Sequence, residues 1–258
     1  FDKAGDLVTY GATSVDANDG NDATLIYAPN ASGSVAPIRA WGFTSPYFRF
    51  PGPTALSLDA AGNFYVAGTL RTSLSPQSGV FVVPPTASGP HVSAARTLPW
   101  DTGTSLVPGQ AGSTALDASG EIYIANFTRV TSGGCQAQVS VYAAGASGGT
   151  TDVAPLRIAS IDGFATTDSS CQSPGNALAA HFPALAVFGG YAYAADDFSN
   201  GIAVFATGAS GSVAPAQTIA GSATGLDAPI AIAIAPASTP TLSVRGTHVR
   251  FSSQDAPR

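Results

Sequence analysis

Short apolar runs alternate along the chain with clusters of Gly, Ser, Asp and Pro. Runs of about four to eight residues rich in Val, Ile, Tyr and Phe between such clusters are typical of β-strands joined by tight turns. Residues 80–83, 139–142 and 202–205 are examples. The composition supports this pattern, because turn residues are dense, with 29 Gly and 19 Pro. We therefore expect an all-β protein.

Two short motifs recur in a fixed order around these runs. Ala-Ser-Gly follows an apolar run at residues 31–33, 87–89, 146–148 and 209–211. Asp-x-x-Gly precedes another apolar run at residues 2–5, 59–62 and 117–120, and Gly189-Gly190 takes its place in the last copy. Asp binds backbone amides in a tight turn and Gly adopts positive φ, so each Asp-x-x-Gly predicts a hairpin turn.

One repeat therefore contains four predicted strands, a to d. Strand a precedes the Asp-x-x-Gly turn, strand b follows it, strand c precedes Ala-Ser-Gly, and strand d closes the repeat. The repeats cover approximately residues 1–43, 53–99, 113–160 and 183–220 of a single domain, residues 1–258, with closing strands within 229–251. Because one such unit cannot bury a sheet face alone, we expect the units to stack.

This pattern resembles the NHL-type propeller repeat of exported bacterial proteins and, more distantly, gluconolactonase-like and virginiamycin-lyase-like propellers. The resemblance implies a β-propeller of four-stranded antiparallel blades. The first repeat lacks strand a and residues 229–236 form a spare one, which favours four blades closed by pairing of the N- and C-terminal strands. Further strands at 242–245 and 248–251 allow five blades, and residues outside the sequence could complete a larger ring.

A propeller places the a–b and c–d turns at one end of its sheets and the b–c and d–a loops at the other. The turns are short and regular in this chain, whereas the loops are long and irregular, so we expect binding at the loop-bearing end. Aromatic rings beside carboxylates suit a glycan or a protein partner, and the alternative is that the rings fill the core. The candidate residues are Trp41, Tyr47, Phe48, Trp100, Phe127, Asp196, Asp197 and Phe198.

One segment has the oxygen ligands of a calcium loop. Asp16, Asn18, Asp19 and Asp22 lie at short spacing around a glycine, as Ca²⁺ coordination requires. The glycine comes one position early for an EF-hand and no glutamate closes the loop, so a polar hairpin loop is the alternative. We expect no other cofactor.

Charge and hydropathy exclude two classes of partner. The net charge of −6 argues against nucleic-acid binding, which needs a basic surface. The longest apolar run, residues 229–237, is too short to span a membrane. The scarcity of lysine and the abundance of small polar residues fit a secreted or cell-surface bacterial protein.

The sequence favours a non-enzymatic protein. His91, His181 and His248 lie in separate repeats or the tail, which argues against a catalytic triad or a histidine zinc site. The gluconolactonase resemblance implies a channel metal held by Glu, Asn and Asp, but the sole glutamate, Glu121, follows a turn at the opposite end of the strands. The lyase resemblance implies a histidine base, for which His181 is the candidate.

We therefore expect an extracellular binding or structural module that presents its loop-bearing end to a glycan or protein partner, with self-association possible. The first alternative is a metal-dependent hydrolase or lyase with Asp and Asn ligands at the propeller axis. The second alternative is a subunit of an extracellular filament or surface layer.

The two cysteines of the chain are predicted to form a disulfide. Cys135 lies in a b–c loop and Cys171 in the following d–a loop, so both belong to the loop-bearing end. Closing a loop of about 35 residues should stabilise the fold by a few kcal/mol. Alkylation of the unfolded, unreduced protein should modify no cysteine by mass spectrometry, and reduction should lower the melting temperature. Two alkylated thiols before reduction would contradict the pairing.

Overall fold

The chain is all-β in a computed structural model. The structure describes residues 2, 4–11, 23–43, 55–71, 76–100, 113–130, 134–148, 153–166, 184–196, 199–227, 229, 231–234, 241–245 and 248–252. These residues form five sheets and one short 3-10 turn at Ser222–Thr224. None of their helical segments has the length and hydrophobicity to cross a membrane.

The first two repeats form two sheets of four strands. Sheet 1 has the order β1-β2-β3-β7, with β1 (Leu7–Gly11), β2 (Ala23–Tyr27), β3 (Arg39–Phe43) and β7 (Gly89–Val92). Sheet 2 has the order β4-β5-β6-β8, with β4 (Ala55–Leu58), β5 (Phe64–Arg71), β6 (Pro76–Val83) and β8 (Arg96–Trp100). The strands are antiparallel except for β7, which is parallel to β3.

The remaining strands form three further sheets. Sheet 3 contains β9 (Thr114–Leu116), β10 (Ile122–Val130), β11 (Gly134–Tyr142), β12 (Arg157–Thr166) and β16 (Gly211–Val213). Sheet 4 contains β13 (Ala184–Phe188), β14 (Tyr191–Asp196), β15 (Gly201–Ala206) and β17 (Gln217–Ala220). The hairpin of β18 (Thr241–Arg245) and β19 (His248–Ser252) forms a sheet of its own.

The predicted order of strands within each repeat is confirmed. Strands a, b, c and d are neighbours in that order in sheets 2, 3 and 4, and sheet 1 has b, c and d; sheets 1 and 3 have one more strand beyond d. The Asp-x-x-Gly turns form as predicted. Asp59 accepts hydrogen bonds from the backbone N–H groups of Ala61 and Asn63 at 2.8 and 2.9 Å, and Gly62 has a φ of 87°. A two-residue Gly189-Gly190 turn with positive φ replaces this arrangement in sheet 4.

Sheets 1 to 4 pack face to face in chain order, and a layer of apolar side chains fills each of the three interfaces. Trp41 of sheet 1 is completely buried, with ring centroids of Phe43 and Phe64 each 5.4 Å from its own. Val80, Val82 and Leu98 of sheet 2 meet Ile122 and Ile124 of sheet 3. The third layer joins sheets 3 and 4.

Two strands, β7 and β16, were predicted as turns. Each begins at the glycine of an Ala-Ser-Gly motif and pairs in parallel with the outermost strand of the preceding sheet, β3 or β12. An outer strand has a row of unpaired backbone N–H and C=O groups, which another segment can satisfy. The c–d connection of one repeat therefore completes the sheet of the repeat before it.

The b–c loops are shorter than the sequence indicates. The sequence predicts long b–c loops, yet β5 continues to Arg71, β6 begins at Pro76, and β10 and β11 leave only residues 131–133 between them. Polar Thr, Ser and Gln residues are frequent in these segments and hide the strand pattern. The β5–β6 hairpin extends beyond the last pair of β6 with β8 at Ser78, whereas β12 accompanies β11 as far as Cys135.

The closing strand predicted at 229–236 is not assigned as a strand in its described residues, 229 and 231–234. Ala231 and Ala233 are exposed while Ile232 and Ile234 are half-buried, so the alternation expected of a strand is present without a hydrogen-bonded partner. Among the described strands, β1 pairs with β2 alone. The predicted strands at 242–245 and 248–251 are formed, as β18 and β19, and pair with each other.

Candidate functional site

A chain of hydrogen bonds crosses sheet 3 at its turn-bearing end and continues into sheet 4. The Tyr123 hydroxyl donates to Asp117 Oδ2 over 3.2 Å and accepts from Arg157 Nη2 over 2.9 Å. Arg157 Nε then donates to the backbone carbonyl of Thr207, in the c–d turn of the next repeat, over 2.7 Å. The a–b turn, strand b and strand d of one sheet are thus connected to the neighbouring sheet.

Sheet 2 repeats the arrangement with equivalent residues. Tyr65 donates to Asp59 over 3.3 Å and accepts from Arg96 over 2.7 Å. Arg96 Nη1 donates to the carbonyl of Ala146, in the c–d turn of sheet 3, over 3.1 Å. The Arg96 guanidinium also lies 5.5 Å from the centroid of the Tyr65 ring, within cation–π range. We refer to this Asp–Tyr–Arg arrangement as the junction triad.

Glu121 belongs to the junction triad of sheet 3. Its carboxylate forms an ion pair with Arg157, and its Oε2 lies 3.2 Å from the Tyr123 hydroxyl, whose single proton is shared between Glu121 and Asp117. The sole glutamate of the chain therefore contacts groups that join two sheets, at the end opposite the long loops.

Sheets 1 and 4 keep only parts of the triad. In sheet 1, Arg39 donates to the carbonyl of Pro85 in the next repeat, but Val8 occupies the tyrosine position. In sheet 4, Tyr193 is present, Gln217 replaces the arginine, and the Gly-Gly turn supplies no aspartate. The complete triads thus lie in sheets 2 and 3, each of which packs between two other described sheets.

The triads shift the pKa values of their members. Burial raises the pKa of Asp117, but hydrogen bonds from Ser119, Glu121 and Tyr123 outweigh burial and hold the pKa below its usual value. Burial, reinforced by the negative charge of Asp117, raises the pKa of Tyr123 to about 12. The hydrogen bond from Arg157 lowers the pKa of Glu121. At neutral pH the acids are therefore charged and the phenol is protonated, as the hydrogen bonds require.

The loop-bearing end has buried polar groups without partners. Asn126 and Asp196 occupy the same position of strand b in sheets 3 and 4, because they pair with Gln138 and Gly201 at equivalent positions of strand c. They are only 4% and 2% exposed. Both amide atoms of Asn126 lack a hydrogen-bond partner. Asp196 accepts from the Ser199 N–H over 3.1 Å through Oδ2, whereas Oδ1 has no partner.

A second pair of unpartnered atoms lies in sheet 1. Thr24 and Trp41 face each other on neighbouring strands, and both Thr24 Oγ1 and Trp41 Nε1 are buried without a partner. Leaving a buried donor or acceptor unsatisfied costs about 1–3 kcal/mol. Such groups in a native protein call for a ligand, an ion or water.

The structure distributes the predicted site residues between core, strand and loop-bearing end. Trp41 lies in the core between sheets 1 and 2, as the core alternative expects. Trp100 ends β8, Phe127 lies within β10 and Asp196 ends β14, all towards the loop-bearing end. The others lie outside the described residues: Tyr47, Phe48, Asp197 and Phe198, and the calcium candidates Asp16, Asn18, Asp19 and Asp22.

The predicted disulfide has only one half in the described part of the chain. Cys135 lies in β11 opposite Arg129 of β10, and Cys171 is outside the described residues. Among described residues, no group of three or more His, Cys, Asp and Glu side chains could hold a metal ion.

Asn126 is the functional candidate that sequence reasoning missed. Its signal is positional, since it follows the apolar run of strand b where Gly68 stands in sheet 2 and Asp196 in sheet 4.

Comparison with models of protein families, with curated proteins and with solved structures finds no match for this chain. The function proposed below therefore rests on the geometry of the turn-bearing and loop-bearing ends of the sheets.

Replacing Arg157 with Gln should destabilise the protein by about 1–3 kcal/mol, because it removes bonds to a charged carboxylate and to the next sheet. The matched control is Gln217→Ala, at the equivalent position of sheet 4, which should change stability by less than about 0.5 kcal/mol. Urea denaturation of both variants measures the difference. Equal stabilities of the two variants would show that the triad does not hold the sheets together.

The triads should also make stability fall in acid. Asp59, Asp117 and Glu121 have lowered pKa values in the folded state, so the stability they contribute is present above their ordinary pKa and is lost as the pH falls through the folded value. The free energy of unfolding should therefore decrease below about pH 4. Asp117→Asn should flatten this decrease. An unchanged pH profile in that variant would contradict the assignment.

Proposed function

We propose that the four sheets are blades of a β-propeller whose ring is open between sheets 4 and 1 in a single chain, and that this propeller is a non-enzymatic, extracellular glycan-binding module. The a, b, c, d strand order and the face-to-face packing in chain order support the propeller. So do contacts between neighbouring a strands. Ser57 Oγ lies 3.0 Å from Thr114 Oγ1, and Leu185 N donates to Ser113 Oγ over 3.0 Å. Adjacent a strands are expected around a propeller axis.

The turn-bearing end has a structural role in this proposal. Asp59, Asp117 and Glu121 and the arginines they face are engaged in connections within and between sheets. Their charges are therefore balanced by neighbouring groups of the same chain. A ligand that bound there would have to break the contacts that join the sheets, so we assign binding to the opposite end.

The observation that carries the proposal is the pair of buried, unpartnered side chains Asn126 and Asp196 at equivalent positions of two neighbouring sheets. The amide of Asn126 offers two donors and an acceptor, and the carboxylate of Asp196 offers an acceptor. A sugar hydroxyl both donates and accepts, so it can satisfy either group. The groups are recessed, which suits a narrow hydroxyl better than the broad surface of a protein partner.

A metal-dependent hydrolase or lyase is the second candidate. The unpartnered Asp196 Oδ1 favours it, because carboxylate and amide oxygens are ligands that Ca²⁺ accepts. The two candidates differ in whether the ligand is altered and in whether a divalent ion is required.

A glycan array followed by calorimetry on the best ligand, with Ca²⁺ and then with EDTA, tests the proposal. Asn126→Leu should weaken binding at least about tenfold, or about 1.4 kcal/mol, yet keep or raise stability because it removes an unsatisfied buried amide. Asp117→Asn, at the turn-bearing end, should lower stability and leave affinity unchanged.

Two outcomes would overturn the proposal. Absence of glycan binding, or equal affinity in Asn126→Leu, would remove the assigned site. Turnover of the ligand that EDTA abolishes would replace the binding module with the metal-dependent enzyme.

A further inference from the structure

One heptapeptide occurs twice in the chain and has two conformations. Ala-Ser-Gly-Ser-Val-Ala-Pro stands at residues 31–37 and again at 209–215. In the second copy, Gly211, Ser212 and Val213 form β16, paired in parallel with β12 of the preceding sheet. In the first copy, the same residue types form no strand and are largely exposed. The two heptapeptides have the same sequence, so their difference in conformation follows from whether a neighbouring strand is there to pair with.

The valine of this segment shows the consequence for packing. Val92, Val153 and Val213 occupy the same place in repeats 2 to 4, and each packs against the core between its own sheet and the preceding one. Val35, their equivalent in repeat 1, is 46% exposed. Among the described residues, the first repeat thus presents a strand-forming segment with an apolar side chain and has no preceding sheet to receive it.

The complementary surface lies at the other end of the stack. β17 is the outermost strand of sheet 4, as β3 and β12 are of sheets 1 and 3, and among described strands it pairs only with β15. All four of its residues are exposed, and Ile219 is 41% exposed. Ala159, at the equivalent position of β12, is 1% exposed beneath β16.

The same contact joins every successive pair of the four sheets. β7 pairs with β3, and β16 pairs with β12. Between sheets 2 and 3, the Thr97 carbonyl of β8 accepts hydrogen bonds from Gly148 N at 3.1 Å and from Ser147 Oγ at 3.4 Å. In the part of the chain that the structure describes, one half of this contact is unused at each end of the stack.

We propose that a second copy of this chain joins the two unused halves, with residues 33–35 of one copy adding in parallel to β17 of the other. By the register of β12 with β16, Gly33 lies opposite Ile219 and Val35 lies opposite Gly221. Strand addition to an open edge supplies backbone hydrogen bonds and covers Ile219 and Val35. The contact is heterologous, so it generates closed rings or open filaments of the protein. It does not depend on the glycan site.

Two variants block one half of the contact each. Val35→Lys places a charge on the side chain that the contact covers, and Ile219→Lys places a charge on the acceptor edge. Both positions are exposed, so each variant should fold as stably as the wild type. Val213→Lys is the matched control in the identical heptapeptide, and it should lower monomer stability because Val213 packs against the core between sheets 3 and 4.

Sedimentation across a concentration series is the readout. The wild type should form dimers and larger assemblies, and each blocked variant alone should be monomeric. An equimolar mixture of Val35→Lys and Ile219→Lys should form dimers and nothing larger, because only one intact contact can form between them.

Four results would overturn the proposal. A wild type that stays monomeric to about 1 mM has no such association. Assembly by both variants alone would place the interface elsewhere, and loss of assembly in Ile219→Lys but not Val35→Lys would indicate edge-to-edge pairing of two β17 strands. A monomeric wild type that both variants destabilise would instead show that one chain closes the contact on itself.

Discussion

The contact between the c–d connection of one repeat and the outermost strand of the preceding sheet holds this fold together. A sheet of four short strands has two unpaired edges and two faces to cover, which it cannot do alone. Sheets 1 and 3 receive an additional parallel strand, and the carbonyl of Thr97 in sheet 2 accepts bonds from the next repeat. The apolar layers between sheets then provide most of the burial, with Trp41 and Leu98 fully enclosed.

The junction triads add polar connections to the same contact. An aspartate that shapes the a–b turn also accepts from a tyrosine, which accepts from the arginine that reaches the next repeat. One substitution can therefore affect the turn, the sheet and the interface together. The hydrogen bonds of the charged triad residues hold the turns of neighbouring sheets in one position relative to each other. In the described part of the loop-bearing end, by contrast, buried Asn126 and Asp196 have polar atoms without a hydrogen-bond partner.

Strands such as β5, β6, β10 and β14 were predictable because each contains a short apolar run that lies between turn residues. The parallel strands β7 and β16 were not, because Ala-Ser-Gly is a turn signal and its strand forms only on a neighbouring sheet. Trp41 was predicted as a candidate for the binding face, but a tryptophan ring suits a surface and a core equally, and only packing distinguishes them. Asn126 was missed because its burial follows from sheet stacking rather than from its neighbours in the chain.

Hydrogen–deuterium exchange of the two identical heptapeptides in dilute, monomeric protein tests the central claim most directly. Their intrinsic exchange rates are nearly equal because their sequences are identical, so any difference reports on structure. The account predicts slow exchange at residues 211–213, which pair with β12, and fast exchange at residues 33–35, which pair with no described strand. Equally fast exchange in both segments would show that the c–d connection does not complete the preceding sheet.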